Sequence, residues 1–180
     1  MVEFSREKSI ARIVALLNST GVGYDAGRDL LTQRSHFGEF ARSTGYVSPA
    51  TLGKKGLADL RALRAALLAM INGTREATMV FDDINRVAIG YGFHYRFDSD
   101  GNGAAEGYEP SVVSEVLADI VDIGAAGVWD RVKLCANPSC GAVFFDPTRA
   151  KTRKWHSFDM CGNRMNVAAF RRRAASGEAE

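Results

Sequence analysis

Apolar residues recur at helical spacing through most of the chain that precedes Gly127. Ile10, Ile13, Val14 and Leu17 predict a helix over 5–20 that stops at Gly21 and Gly23, and Leu30, Leu31, Phe37 and Phe40 predict a second over 26–43, ended by Thr44-Gly45 ahead of Ser48-Pro49. A third runs from about Leu57 to Asn72, its core stripe being Leu60, Leu63, Leu67, Met70 and Ile71, with Arg61 and Arg64 expected to face out. Thr74 is expected to cap a fourth helix through Ala88, with Ile84 and Val87 inward. A fifth opens at Pro110-Ser111 and carries Val112, Val113, Val116, Leu117, Ile120 and Val121.

Between Gly90 and Phe97 the period changes to two. Tyr91, Phe93, Tyr95 and Phe97 alternate with Gly92, His94 and Arg96, as in a half-buried strand, and 104–108 supplies a return strand after the polar turn 98–103. Asp98, Asp100, Asn102 and Gly103 of that turn, together with Glu106 and Glu109 beyond it, also satisfy the pattern of a calcium-binding loop. The alternation before the turn, and Pro110 after Glu109, favour a hairpin. Residues 128–134 carry no clear period, and 176–180 read as a frayed tail. His36 and His94 sit within apolar patterns without a partner motif and are assigned structural roles.

Composition changes this picture only at its edges. With 180 residues and 46% hydrophobic content the chain can bury a sizeable core, which excludes a wholly disordered protein. No apolar run approaches the roughly 20 residues of a membrane-spanning helix, and the charged start, Glu3, Arg6, Glu7 and Lys8, is unlike a signal peptide, so a cytoplasmic protein is expected. The net charge of +2 conceals an asymmetry: 1–130 is net acidic, whereas 131–180 is strongly basic.

The basic segment also holds all three cysteines, Cys135, Cys140 and Cys161. An odd, clustered set in a chain without secretory features argues for metal or reactivity over a disulfide framework. With His156 the spacing is C-x4-C-x15-H-x4-C, three thiolates and one imidazole able to close a tetrahedron around zinc. Gly141 after Cys140 allows backbone N–H groups to turn toward the thiolate. The bland alternatives are cysteines acting as small buried hydrophobes and a histidine that merely stacks beside Trp155.

The stretch Cys135 to Cys140, Phe144-Phe145-Asp146, Arg153-Lys154-Trp155, and then Cys161-Gly162-Asn163-Arg164 leading into a basic helix resembles the CGNR zinc finger family, whose name spells those last four residues. The resemblance implies an N-terminal ABATE domain, helical with a hairpin and proposed to be a stress-induced transcription regulator. It also implies zinc as the cofactor. Family members generally have Trp-Cys where this chain has Trp155-His156, so the third ligand carries over only with imidazole in place of thiolate. The fold class is then mainly α (α+β), with a helical, hairpin-bearing domain over 1–130 and a zinc finger ending in a basic helix over 131–175.

Beyond Cys161 some thirteen residues of helix, spanning about 20 Å, place Arg164 and Arg171 on one face, with Val167 and Phe170 expected to pack on the finger. Arg153, Lys154, Asn163, Arg164, Arg171, Arg172 and Arg173 are the candidate nucleic-acid contacts, with Arg149 and Lys151 adding to the basic loop. The alternative is a solvated charge face or a patch docked on the acidic domain. The leading expectation is a zinc-containing regulator that binds DNA, with a homodimer and a small-molecule effector of the first domain as possible partners. Its rival is a protein- or ligand-binding module braced by zinc. No G-x-S-x-G, P-loop, Rossmann or H-E-x-x-H motif occurs, and no enzymatic activity is expected.

Overall fold

The computed structural model describes residues 2–21, 27–32, 34–46, 52–101 and 103–176. Within them the chain is mainly helical: α1 (Val2–Leu17), α2 (Arg34–Thr44), α3 (Lys54–Ile71) and α4 (Ala77–Ala88) precede an antiparallel hairpin of β1 (Phe93–Phe97) and β2 (Gly103–Gly107). Next come α5 (Val112–Ala125), a second antiparallel hairpin of β3 (Val132–Leu134) and β4 (Val143–Phe145), and the C-terminal α6 (Asn163–Ser176). Ser48-Pro49 and Asn102 lie outside the described residues.

The apolar stripes meet in one core. Ile13, Leu16, Leu31, Phe40, Leu60, Leu63, Leu67, Val80, Val113, Val116 and Ile123 are among its buried members. Helix α5 starts where Ser111 caps it: the Ser111 hydroxyl accepts from Ser114 N–H, and the Ser114 hydroxyl accepts from Ser111 N–H. A buried ionic cluster pins α1 to α5. Arg12 reaches Glu115 at 2.6 Å and Asp119 at 3.2 Å, and the Tyr46 hydroxyl donates to Asp119 at 3.0 Å.

Several local expectations are corrected. Arg64 is buried, because its guanidinium holds both Asp29 oxygens, at 2.9 and 2.7 Å, and the Ser19 hydroxyl at 2.7 Å. The same pairing fixes residues 27–32 as a turn, so α2 begins at Arg34. Thr74 does not cap α4; its N–H and hydroxyl both donate to Ala69 O and close α3, while Glu76 precedes α4. Tyr95 and Phe97 are exposed, since β1 and β2 form a two-stranded ribbon that reaches beyond the core, and Val121 is exposed on the outer face of α5.

The second hairpin joins the finger to the helices. Val132 and Val143 are buried in the same core as α1 and α5. Asn18, just past α1, acts as a strand partner for β4: its amide donates to Val143 O at 2.9 Å and its oxygen accepts from Val143 N–H at 2.8 Å.

Candidate metal centre

Cys135 and Cys140 flank the turn between β3 and β4, His156 lies on the loop after β4, and Cys161 lies in a wide π-type turn, Phe158–Gly162, leading into α6. Their four ligand atoms lie within 4.8 Å of one another, and Cys135, Cys140 and Cys161 are buried. His156 Nδ1 stands 3.3 Å from Cys140 Sγ and 3.6 Å from Cys161 Sγ. Zinc–sulfur bonds of about 2.3 Å and zinc–nitrogen bonds of about 2.0 Å in a tetrahedron require S···N edges of about 3.5 Å. The donor set fits a zinc ion in both chemistry and spacing.

The surrounding residues serve the sulfurs. Backbone N–H groups of Asn137 and His156 approach the Cys135 sulfur, and that of Ala142 approaches Cys140. Burial opposes the Cys135 thiolate, yet the His156 ring and these N–H groups outweigh it and bring the thiol down to about 7. At Cys140 burial prevails over the Ala142 N–H, with the Cys161 and Cys135 sulfurs adding to it, and the thiol is pushed up to about 11. A cation relieves this crowding by replacing protons. Gly141 takes φ +68°, the left-handed conformation that lets the chain fold back beneath Cys140.

Two residues gain roles that the sequence did not assign. The buried Asn137 donates from its amide to Cys161 Sγ at 3.3 Å, while its side-chain oxygen accepts from Ser139 N–H and its backbone oxygen from Cys140 N–H, so one residue links the turn to the far ligand. The signal was an amide inside a two-cysteine turn. Asp146 is fully buried and accepts from Lys133 Nζ at 2.8 Å, from the Thr148 hydroxyl and N–H, and from Arg153 N–H. Those contacts, Lys133 first, hold its carboxyl far below the usual range and anchor the loop that carries His156.

Gly162 is required by packing: a Cβ there would stand 2.6 Å from the Phe158 ring and 3.0 Å from Trp155. Arg153 spends its guanidinium on the carbonyls of Trp155, at 2.9 Å, and His156, at 2.5 Å, and lies over the Phe144 ring. Lys154, Asn163, Arg164, Arg171, Arg172 and Arg173 are exposed. Val167 and Phe170 do not pack on the finger; they are 48% and 62% exposed because α6 touches it chiefly through the preceding turn.

The described residues of the acidic loop after β1 gather no comparable cluster. Among the described residues the finger quartet alone brings three or more such ligand atoms together. Glu106 lies on β2, paired with Arg96 at 2.6 Å, and Asp98 accepts from Asp100 N–H within the turn. His94 stacks beside Tyr108, and His36 is half-buried in α2. No described helix is long and apolar enough to cross a membrane.

Comparison with protein families agrees with this geometry. Residues 11–127 match the ABATE family, described as "Putative stress-induced transcription regulator", and residues 131–174 match the CGNR zinc finger. No curated protein matches the chain. With one family match over the helical part and a second that spans all four residues of the Cys3His cluster, the chain belongs to the ABATE family and carries a CGNR zinc finger.

Proposed function

We propose that Cys135, Cys140, His156 and Cys161 hold one structural zinc ion and that the finger presents α6 to DNA as part of a cytoplasmic transcription regulator. The observation that carries the metal assignment is the convergence of four soft or borderline donors within 4.8 Å. Zinc supplies folding free energy here, by tying β3, β4 and the start of α6 together. Four protein ligands leave no position for a reacting water, so the reading includes no catalysis.

For nucleic acid, support comes from charge. Lys154, Arg164, Arg171, Arg172 and Arg173 are exposed on or before a 14-residue helix about 21 Å long. Arg153 braces His156 through two carbonyls and so sets the loop from which Lys154 projects. A protein partner for the same helix is the second reading, favoured by the exposure of Phe158, Met160, Val167 and Phe170 beside those cations.

Elemental analysis combined with DNA binding tests both parts. Protein kept reduced should hold about one zinc per chain, and His156→Ala should lose it to a competing chelator more readily than wild type, whereas His156→Cys should retain it more tightly. Zinc-free protein that folds normally, or equal retention by wild type and His156→Ala, overturns the ligand assignment. Absence of binding to duplex DNA at low salt moves the function to the protein-binding reading.

A further inference from the structure

Among the described residues no strand pairs with the outer edge of β1 in the β1–β2 ribbon. Tyr108 N–H donates to Gly92 O at 2.9 Å, and the register pairs Phe93 with Gly107, Tyr95 with Ala105 and Phe97 with Gly103. By the alternation of an antiparallel ladder, His94 and Arg96 turn their backbone groups toward β2, and Phe93, Tyr95 and Phe97 turn theirs outward. The outward edge is Phe-His-Tyr-Arg-Phe, rich in strand-forming aromatics and without proline or bulge, and its one permanently charged side chain, Arg96, is paired with Glu106 across the ribbon. Tyr95 is 76% and Phe97 68% exposed, with Tyr108 nearby at 69%. The Phe97 ring lies across β2 over Gly103, where a Cβ would come within 2.8 Å of it, so the ring leans away from the free edge.

We propose that this edge pairs with the same edge of a second copy, β1 against β1 about a two-fold axis at Tyr95, to build a four-stranded antiparallel sheet across a homodimer. The strand is self-complementary in that register. Tyr95 meets Tyr95 of the second copy and Phe93 meets its Phe97, so one face becomes an aromatic ladder backed by Gly103, Ala105 and Gly107. On the other face Arg96 is already neutralised by its own Glu106, at 2.6 and 2.8 Å, so the opposed strands bring no uncompensated carboxylate or guanidinium together. Six outward backbone groups per copy, the N–H and C=O of Phe93, Tyr95 and Phe97, gain partners. That same local neutrality, in the net acidic part of the chain, disfavours nucleic acid as the occupant. The inference is independent of whether α6 binds DNA.

Sedimentation equilibrium on the zinc-loaded full chain, without nucleic acid, provides the test. Wild type should show a concentration-dependent dimer, and Tyr95→Lys, which opposes two ammonium groups at the axis, should weaken association about tenfold or more. Because Tyr95 is exposed, the variant should keep the wild-type circular dichroism and zinc content. Tyr95→Cys should be joined to itself by a short bismaleimide, whereas Met79→Cys, exposed on α4, should not. A wild type that stays monomeric at about 100 μM overturns the proposal. So does a dimer that Tyr95→Lys leaves unchanged, or one in which Tyr95→Cys fails to cross-link.

Discussion

Asp119 is a carboxylate that folding almost deprives of water, at 4% exposure on α5. Burial pushes its carboxyl up to about 6 against the pull of Arg12. A carboxyl whose folded value lies above its unfolded value, here 3.8, stabilises the fold most when protonated, and that contribution is lost as pH rises through about 6. Asp119→Asn removes the titration while keeping an oxygen that can accept from Tyr46. The stability of wild type relative to Asp119→Asn should therefore fall between about pH 4 and pH 7, read from urea midpoints at matched pH. The opposite slope would show that Arg12 outweighs burial.

At the scale of elements, what was legible in the sequence depended on how many residues repeat a pattern. Helix α5 was readable because a serine cap precedes a long apolar run, and the metal quartet because cysteine and histidine announce their chemistry at any spacing. Strands β3 and β4 were not, since three residues each cannot display a period. The burial of Arg64 is not legible, because a helical wheel cannot foresee that Asp29 follows it inside. The exposure of Val167 and Phe170 is hidden for the converse reason: periodicity shows which residues share a face but not whether anything covers it. The Asn18 contact with β4 was equally invisible, since it spans 125 positions. Asn18→Ala leaves the N–H and C=O of the buried Val143 without those partners and should lower stability by about 2 kcal/mol in chemical denaturation. Zinc content should not change, because no ligand lies on α1; a loss of zinc would show that docking on α1 helps assemble the centre.

For the whole molecule, the separation of an acidic helical part from a basic finger sets how the DNA binding proposed above should respond to salt. On that proposal, phosphate contacts made by the finger's cations would release condensed counterions, each contributing about −0.9 to the slope of log affinity against log salt. The acidic helical part repels the same backbone, so the cations of α6 and its preceding loop must supply that slope. Replacing Arg171 and Arg172 together by alanine should flatten it by up to about two units per protomer. Both residues are exposed and lie beyond the last ligand, Cys161, so the zinc content and fold should persist. If the dimer formed through β1 is the binding species, two copies of α6 act on one DNA, and the change per complex should approach twice that per protomer. A titration series across salt concentrations, run on wild type and the double variant at matched zinc content, reads this directly. A loss of affinity at constant slope would mean that the arginines support the fold of the finger and do not meet phosphate.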